Sequence, residues 1–258
     1  MEQMHDAKKL KKTMTMLLIV TIVAFSIWYV EFNIFELIEA IPTFFSFIFT
    51  DFFPPNINDF SFYLKPVIET ILIAFIATGF ASIFGLVFAI LIARNTAPNN
   101  IIRMALKAIL TFCRNIPSLV WASVLVIIFG IGNLPGLIAL VIFGTSFLAR
   151  VYSEAIEELD DHVVEAIEAC GGNYFHILKH AIFPQFMPSF LNWTLFMVEI
   201  GIRASAILGL VGAGGLGTII KQTMDLFQYS KTSMAIVIMI VLIVCIEIVS
   251  QKLRERII

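Results

Sequence analysis

Residues Glu165–Pro184 read EAIEACGGNYFHILKHAIFP, a polar and charged stretch inside an otherwise apolar chain. The preceding residues, from Asp160 and Asp161, begin a helix that carries Glu165 and Glu168 and runs to Ala169. Gly171 and Gly172 end it, because glycine takes the left-handed conformation that a helix C-terminus needs. Asn173 can cap a second helix, predicted to run to Ile182 and to stop before Pro184. The result is a short, rigid helix–turn–helix knob. Ala166 and Ala169 are small enough to let another backbone approach. A mostly apolar protein has little reason to expose such a segment unless something docks on it; the bland alternative is an ordinary loop.

The rest of the chain explains why this segment stands out. Of 258 residues, 59% are hydrophobic and 14% charged, and the mean hydropathy is +0.94. Soluble domains are nearer half apolar and a quarter charged. The apolar residues fall in long runs, and a bilayer core needs roughly 20 of them in helix. Six runs qualify: about Met14–Val30, Pro66–Ala93, Ser118–Ile131, Leu134–Ala149, Pro188–Leu210 and Ser233–Val249. The fold class expected is all-α, a polytopic membrane protein of six transmembrane helices. The first run follows Lys8, Lys9, Lys11 and Lys12 like a signal peptide, but Trp28, Tyr29 and Glu31 follow it instead of a small-residue cleavage site, so it reads as a retained helix.

Lys and Arg concentrate on alternate sides of these spans. With the N-terminus in the cytoplasm, the inner stretches hold the N-terminal lysines, Arg94, Arg103, Lys107, Arg114, Arg150, Lys179 and the cluster Lys252, Arg254 and Arg256. The positive-inside rule therefore puts both termini and the Glu165–Pro184 knob in the cytoplasm. The Phe-rich segment Glu31–Tyr63, broken by Pro54-Pro55, falls outside, with Ile34–Phe49 as an interfacial amphipathic helix; a seventh span is the alternative, against which Glu36, Glu39 and Pro42 speak. Arg103, Lys107 and Arg114 fall within roughly 40° on a helical wheel, opposite Ile101, Met104, Ile109 and Phe112. That pattern is a surface helix leading to Pro117. Residues 1–65 then form an accessory helix plus external segment, and residues 66–256 a core with the polar loop at about 160–184.

Chemistry-bearing motifs are few. Cys113, Cys170 and Cys245 are scattered and lack metal spacing. His176 and His180 lie four apart, but no third ligand is near, so no metal is expected. Gly212–Gly217 fits G-x-G-x-x-G but follows a membrane helix, with no acidic residue at the distance a dinucleotide site needs. These glycines, with Gly209, suit a helix break, hinge or gate, or close helix packing. There is no P-loop and no nucleophile–base motif, so the chain is expected to be no enzyme and to hold no cofactor. No basic block suggests nucleic acid.

Arg203 is the outlier among the spans. A charge inside the membrane costs about 2.5–3.5 kcal/mol on insertion scales, and such residues usually face a bundle interior or a water path. Glu199 lies four residues earlier on the same face, so a structural ion pair is one reading. The other is an anion-attracting residue on a substrate path, since a guanidinium binds two oxygens at once. Asn192, Ser205 and Thr194 are further candidates for that path.

Several runs together resemble the permease subunits of phosphonate-type ABC importers, a branch that includes phosphite importers. They are Arg114–Pro117; Glu154–Glu157; the Glu165–Pro184 loop with Gln185 and Pro188; Glu199–Arg203; and AILGLVGAGGLG at Ala206–Gly217. The loop alone resembles the importer superfamily, and IRASAILGLVGAGGLG points to the phosphonate branch. One departure is Gly172, where the superfamily usually has alanine; a mild loosening is expected there. The resemblance implies a type I permease fold and a homodimer. It also implies two copies of an ABC ATPase that bind ATP and Mg, and an extracytoplasmic phosphonate-binding protein. Glu165, Ala166, Ala169, Gly171, Gly172 and Pro184 would couple to the ATPase. An importer of another solute, such as methionine, stays open. So does an ATP-independent secondary transporter, for which Glu199 and Glu247 are the few carboxylates within spans.

Overall fold

The computed structural model describes residues 2–57 and 59–256. Among these residues there are helices and loops and no strand. The chain divides into two compact units, Met1–Asp51 and Phe52–Ile258. The first holds α1 (Glu2–Tyr29) and α2 (Ile34–Phe47), which continues into a π-helical turn, Ile48–Phe52. Asn33 caps α2 by accepting the Phe35 N–H at 3.0 Å, and no residue of α2 is buried. The run Ile34–Phe49 is therefore helical as expected, as α2 to Phe47 and a π turn beyond it.

The second unit contains α3 (Phe60–Ile92), α4 (Asn100–Asn115), α5 (Ser118–Phe129), α6 (Asn133–Glu157), α7 (Asp161–Ala169), α8 (Tyr174–Ile177), α9 (Phe183–Gly209), α10 (Gly215–Asp225) and α11 (Tyr229–Arg254). Its centre is α3 against α6, with α9 packed on both. The buried face of α3 is a stripe of small residues, among them Ala74, Ala77, Ala81, Gly85 and Ala89. Small side chains let helix backbones approach where no hydrophobic effect drives them together. The approach is close: a Cβ on Gly85 would lie 2.9 Å from the Leu148 Cβ of α6. Tyr152, Phe186 and Leu148 fill the space beside this seam and are almost wholly buried.

Among the described residues, five helices are long and apolar enough to span a bilayer, and α4 with α5 makes a sixth candidate bent by 85°. This changes the expected third span. Ser118–Phe129 has 12 residues, about 18 Å at 1.5 Å per residue, too short for a hydrocarbon core of about 30 Å. Ile116 is extended, with ψ 121°, ahead of Pro117, as the proline ring requires of the residue before it. Here the chain turns sharply between a surface-type helix and a short apolar one. Asn99 caps α4 by accepting the Ile101 N–H at 2.8 Å.

Other boundaries also move. α3 starts at Phe60, ahead of Pro66, which lies inside it. α6 does not close at Ala149 but runs two turns further to Glu157. Arg150 Nε donates to Glu154 Oε1 at 2.7 Å, an i,i+4 pair that supports the extension.

Candidate functional site

The knob has the expected helices and a tighter turn. α7 is capped by Asp160, whose side chain accepts the His162 N–H at 3.0 Å. Gly171 has φ +76°, its N–H donates to Glu168 O, and the Gly172 N–H donates to Ile167 O, both at 2.9 Å. This is the paired 6→1 and 5→2 bonding of a Schellman C-cap. Gly172 is not a loosening. A Cβ there would lie 2.5 Å from Ile167 Cγ2 and 2.8 Å from Ile167 O, so in this turn glycine is what allows closure. Asn173 Oδ1 accepts the His176 N–H at 3.1 Å, and His176 Nδ1 accepts the Asn173 N–H at 3.3 Å. His176 is thereby part of a capping box. Among the described residues no group of three metal-ligating side chains forms.

One expectation about the knob is corrected. The second helix does not stop before Pro184. α8 passes through a π turn, Leu178–Ile182, directly into α9, with Pro184 in its first turn. The Phe183 N–H reaches back to Leu178 O. A proline inside a regular helix clashes with the carbonyl four residues back and leaves it unpaired. One wide turn changes the register there, which lets the chain stay helical.

Val164, Ile167, Ile177 and Leu178 turn inward onto the Tyr152–Phe186 cluster. Glu165, Ala166, Glu168, Ala169, Gly171 and Pro184 are exposed, and Phe175 is 76% exposed beside them. The knob is tied to the bundle by polar bonds. Tyr174 Oη donates to Thr96 O at 2.9 Å, and Gln185 Oε1 accepts the Asp160 N–H at 3.3 Å. These bonds link the knob to the Thr96 loop that follows α3 and to the start of α9. Beside the knob, Asn95 Nδ2 donates to Ile156 O at 3.1 Å and joins the loop after α3 to α6. The Tyr174–Thr96 bond joins residues 78 apart, and sequence reading had no signal for it.

Arg203 is found in a four-residue charge network. Its guanidinium donates to Glu199 Oε1 and, at 3.0 Å, to Glu247 Oε2. Arg254 donates to the other oxygen of Glu199. The Glu199 side chain is 8% exposed and that of Arg203 43%. The ion-pair reading of Glu199 and Arg203 is therefore realised, with two partners from α11 that the sequence did not pair with it. The remaining path candidates separate. Ser205 is buried close to Gly215, and Asn192 is half-buried. Thr194 shares a 2.6 Å hydrogen bond with the buried Tyr152 hydroxyl and so belongs to the core packing.

The glycine run joins α9 to α10 rather than a strand to a helix. Gly212, Gly214 and Gly215 have φ of +86°, +87° and +70°, a conformation costly for other residues. Thr70 Oγ1 accepts the Leu216 N–H at 2.9 Å, satisfying an otherwise orphaned donor at the start of α10. Thr70 was not singled out from the sequence. Gly209 and Gly217 bring α9 and α10 into backbone contact: a Cβ on Gly209 would lie 2.5 Å from the Gly217 Cα. Break and close packing, the two structural readings of these glycines, both occur.

A family described as binding-protein-dependent transport system inner membrane component matches residues 85–258. The chain is 30% identical over 203 residues to the phosphite transport system permease protein PtxC of Stutzerimonas stutzeri, covering 79% of this chain and 74% of that one. It is 32% identical over 230 residues to the putative phosphite transport system permease protein HtxC of the same organism, covering 88% and 80%. Among solved structures, a chain of the MetNI methionine ABC transporter in an inward-facing conformation superposes with a TM-score of 0.67. It is 23% identical and covers 76% of this chain and 96% of that one, a likeness of fold. The chain therefore belongs to the inner-membrane permease components of binding-protein-dependent transport systems.

Proposed function

We propose that this chain is the membrane-spanning subunit of an ABC importer that carries phosphonate-like anions, phosphite among them, across the cytoplasmic membrane. The observation that carries the cargo is the kinship with two phosphite permeases over about four fifths of the chain. The subunit does no chemistry. ATP and Mg would be held by two copies of a partner ATPase, and substrate would arrive on an extracytoplasmic binding protein. Two copies of the permease would enclose the path, with both termini in the cytoplasm.

The knob supplies the coupling. Its outward face is exposed and its inward face is packed, so it moves as one piece with the ends of α3 and α9. Closure of the ATPases on ATP would press on Glu165–Gly172, rock these helices and open the path outward. Hydrolysis would reset it. Gly209, Gly212, Gly214, Gly215 and Gly217 form the hinge or gate at the far end of α9. Replacing Gly171 by valine, at φ +76°, or Glu165 by lysine should leave ATP hydrolysis running while uptake falls. Normal coupling in both variants would refute docking at the knob.

Arg203 has a place on the path as a guanidinium held by Glu199 and able to exchange the exposed Glu247 for a passing oxyanion. Arg203→Gln is expected to cut uptake severalfold with the complex still assembled; unchanged uptake removes it from the mechanism. The cargo itself is tested by binding to the partner extracytoplasmic protein, using phosphate, phosphite, methylphosphonate and methionine. Tight binding of phosphite or methylphosphonate with rejection of methionine is the expected result. Preference for methionine would overturn the cargo and leave the permease family standing.

A further inference from the structure

Beside the ends of α3 and α6 lies a cavity of about 140 Å³ that none of the transport roles above uses. Lys107, Thr111 and Arg114 line it from α4, and Ser146, Arg150 and Ser153 from α6. Two carboxylates share the lining, and both are engaged. Glu154 accepts from Arg150 Nε at 2.7 Å. Glu157 accepts the Arg94 backbone N–H at 2.9 Å and faces Arg94 Nε at 3.8 Å. Among the described residues Lys107 and Arg114 form no salt bridge; burial and the repulsion of Arg150 work against the charge on Arg114, and the attraction of Glu154 favours it. On the lining, Lys107, Arg114 and Arg150 thus meet Glu154 and Glu157, leaving an excess of one positive charge around one small space, and Arg94 pairs with Glu157 from outside the lining. The contrast with Arg203 is direct: there two arginines meet two glutamates, and the charges balance.

The shape and chemistry of the cavity limit what could neutralise it. It is smaller than the roughly 300–1,000 Å³ of a drug-sized site, so it suits a headgroup or a free ion. Guanidinium forks match tetrahedral oxyanions bidentately, and an ammonium adds a point charge. The hydroxyl oxygens of Ser146 and Ser153 are turned to helix carbonyls, and Thr111 adds a third hydroxyl. Ile92 and Leu110 form the apolar wall. That wall lies where α3 and α6 leave their apolar stretches. Unlike the balanced network at Arg203, this cluster has a cation to spare.

We propose that this cavity binds a phosphate-bearing anion, which bridges α4 to α6 next to the loop that Tyr174 grips at Thr96. The chemistry is shared by a free phosphate-type ion and an anionic lipid headgroup. The charges of this face alone attract the anion, whatever the cargo of the transporter.

The test uses the full chain with its partner ATPase in nanodiscs. In phosphatidylcholine discs, inorganic phosphate and methylphosphonate are titrated separately. In discs containing phosphatidylglycerol, the lipid retained after detergent exchange is counted by mass spectrometry. Saturable binding of a free ion, or retention of phosphatidylglycerol, is expected in one arm, and that arm identifies the source. Lys107→Gln and Arg114→Gln should each weaken it by about tenfold, the loss of one charge-assisted bond. Lys107 is exposed, so its variant tests the site even if Arg114→Gln fails to fold. No binding in either arm would overturn the proposal. So would binding that neither variant weakens, because it would belong elsewhere.

Discussion

Gly217→Ala is expected to destabilise the protein far more than its single added methyl group suggests. The new Cβ would fall well inside van der Waals distance of the Ala206 carbonyl oxygen and 2.9 Å from both the Ala206 carbonyl carbon and the Gly209 Cα. All three are backbone atoms, so no rotamer change relieves the overlap. α10 would have to lift from α9, which also stretches the bonds of Thr218 Oγ1 to Gly209 O at 3.2 Å and of Leu216 N–H to Thr70 at 2.9 Å. Overpacking of a well-packed site costs about 1–3 kcal/mol, and backbone on both sides puts this variant at the upper end. The control is Gly79→Ala, also helical, whose Cβ would meet nothing within 4 Å. It should gain a few tenths to 1 kcal/mol by restricting the unfolded chain. Melting midpoints in nanodiscs should therefore differ by several degrees between the two. Equal midpoints would show that α9 and α10 do not pack as described.

The second large effect is at Glu199. It is 6% exposed, and each of its oxygens accepts from a different arginine, Arg203 and Arg254. Arg254 also lies 5.8 Å from the Phe196 ring centroid, a cation–π distance. Glu199→Ala would leave two guanidiniums to one carboxylate, Glu247. Removing one member of a buried ion pair costs about 3–5 kcal/mol, chiefly because the other charge stays behind. Glu247→Ala is the comparison. Its side chain is 54% exposed, and pairs of that kind contribute about 1 kcal/mol or less. Thermal melting should rank Glu199→Ala well below Glu247→Ala. Replacing Arg254 by methionine in the Glu199→Ala background should recover part of the loss. If both glutamate variants melt together, the network is not a structural joint between α9 and α11.

What could be read from the chain was local. The cap at Gly171 was legible because glycine is the residue that takes a left-handed conformation cheaply, and Asn173 because its side chain competes for a backbone N–H. The surface face of α4 was legible from the spacing of Arg103, Lys107 and Arg114. What escaped was set by contacts far apart in sequence. Arg254 reaches Glu199 across 55 residues, and Thr70 reaches Leu216 across 146. No periodicity encodes either. The helix stop at Pro184 was misplaced for a related reason. A proline is a stop signal only when nothing compensates, and here a π turn does. The apolar run at Ser118–Ile131 has the composition of a span, but Gly130 ends its helix, so it makes a sixth candidate span only together with α4.

The central claim is that this permease serves an ATP-driven import of phosphonate-like anions. The direct measurement is uptake of labelled phosphite and methylphosphonate into proteoliposomes containing the chain and its ATPase, with the binding protein outside and ATP inside. Uptake is expected to require ATP and the binding protein, to be competed by phosphite and to be indifferent to methionine. Uptake that persists without ATP, or that follows methionine in place of the phosphorus oxyanions, would contradict it.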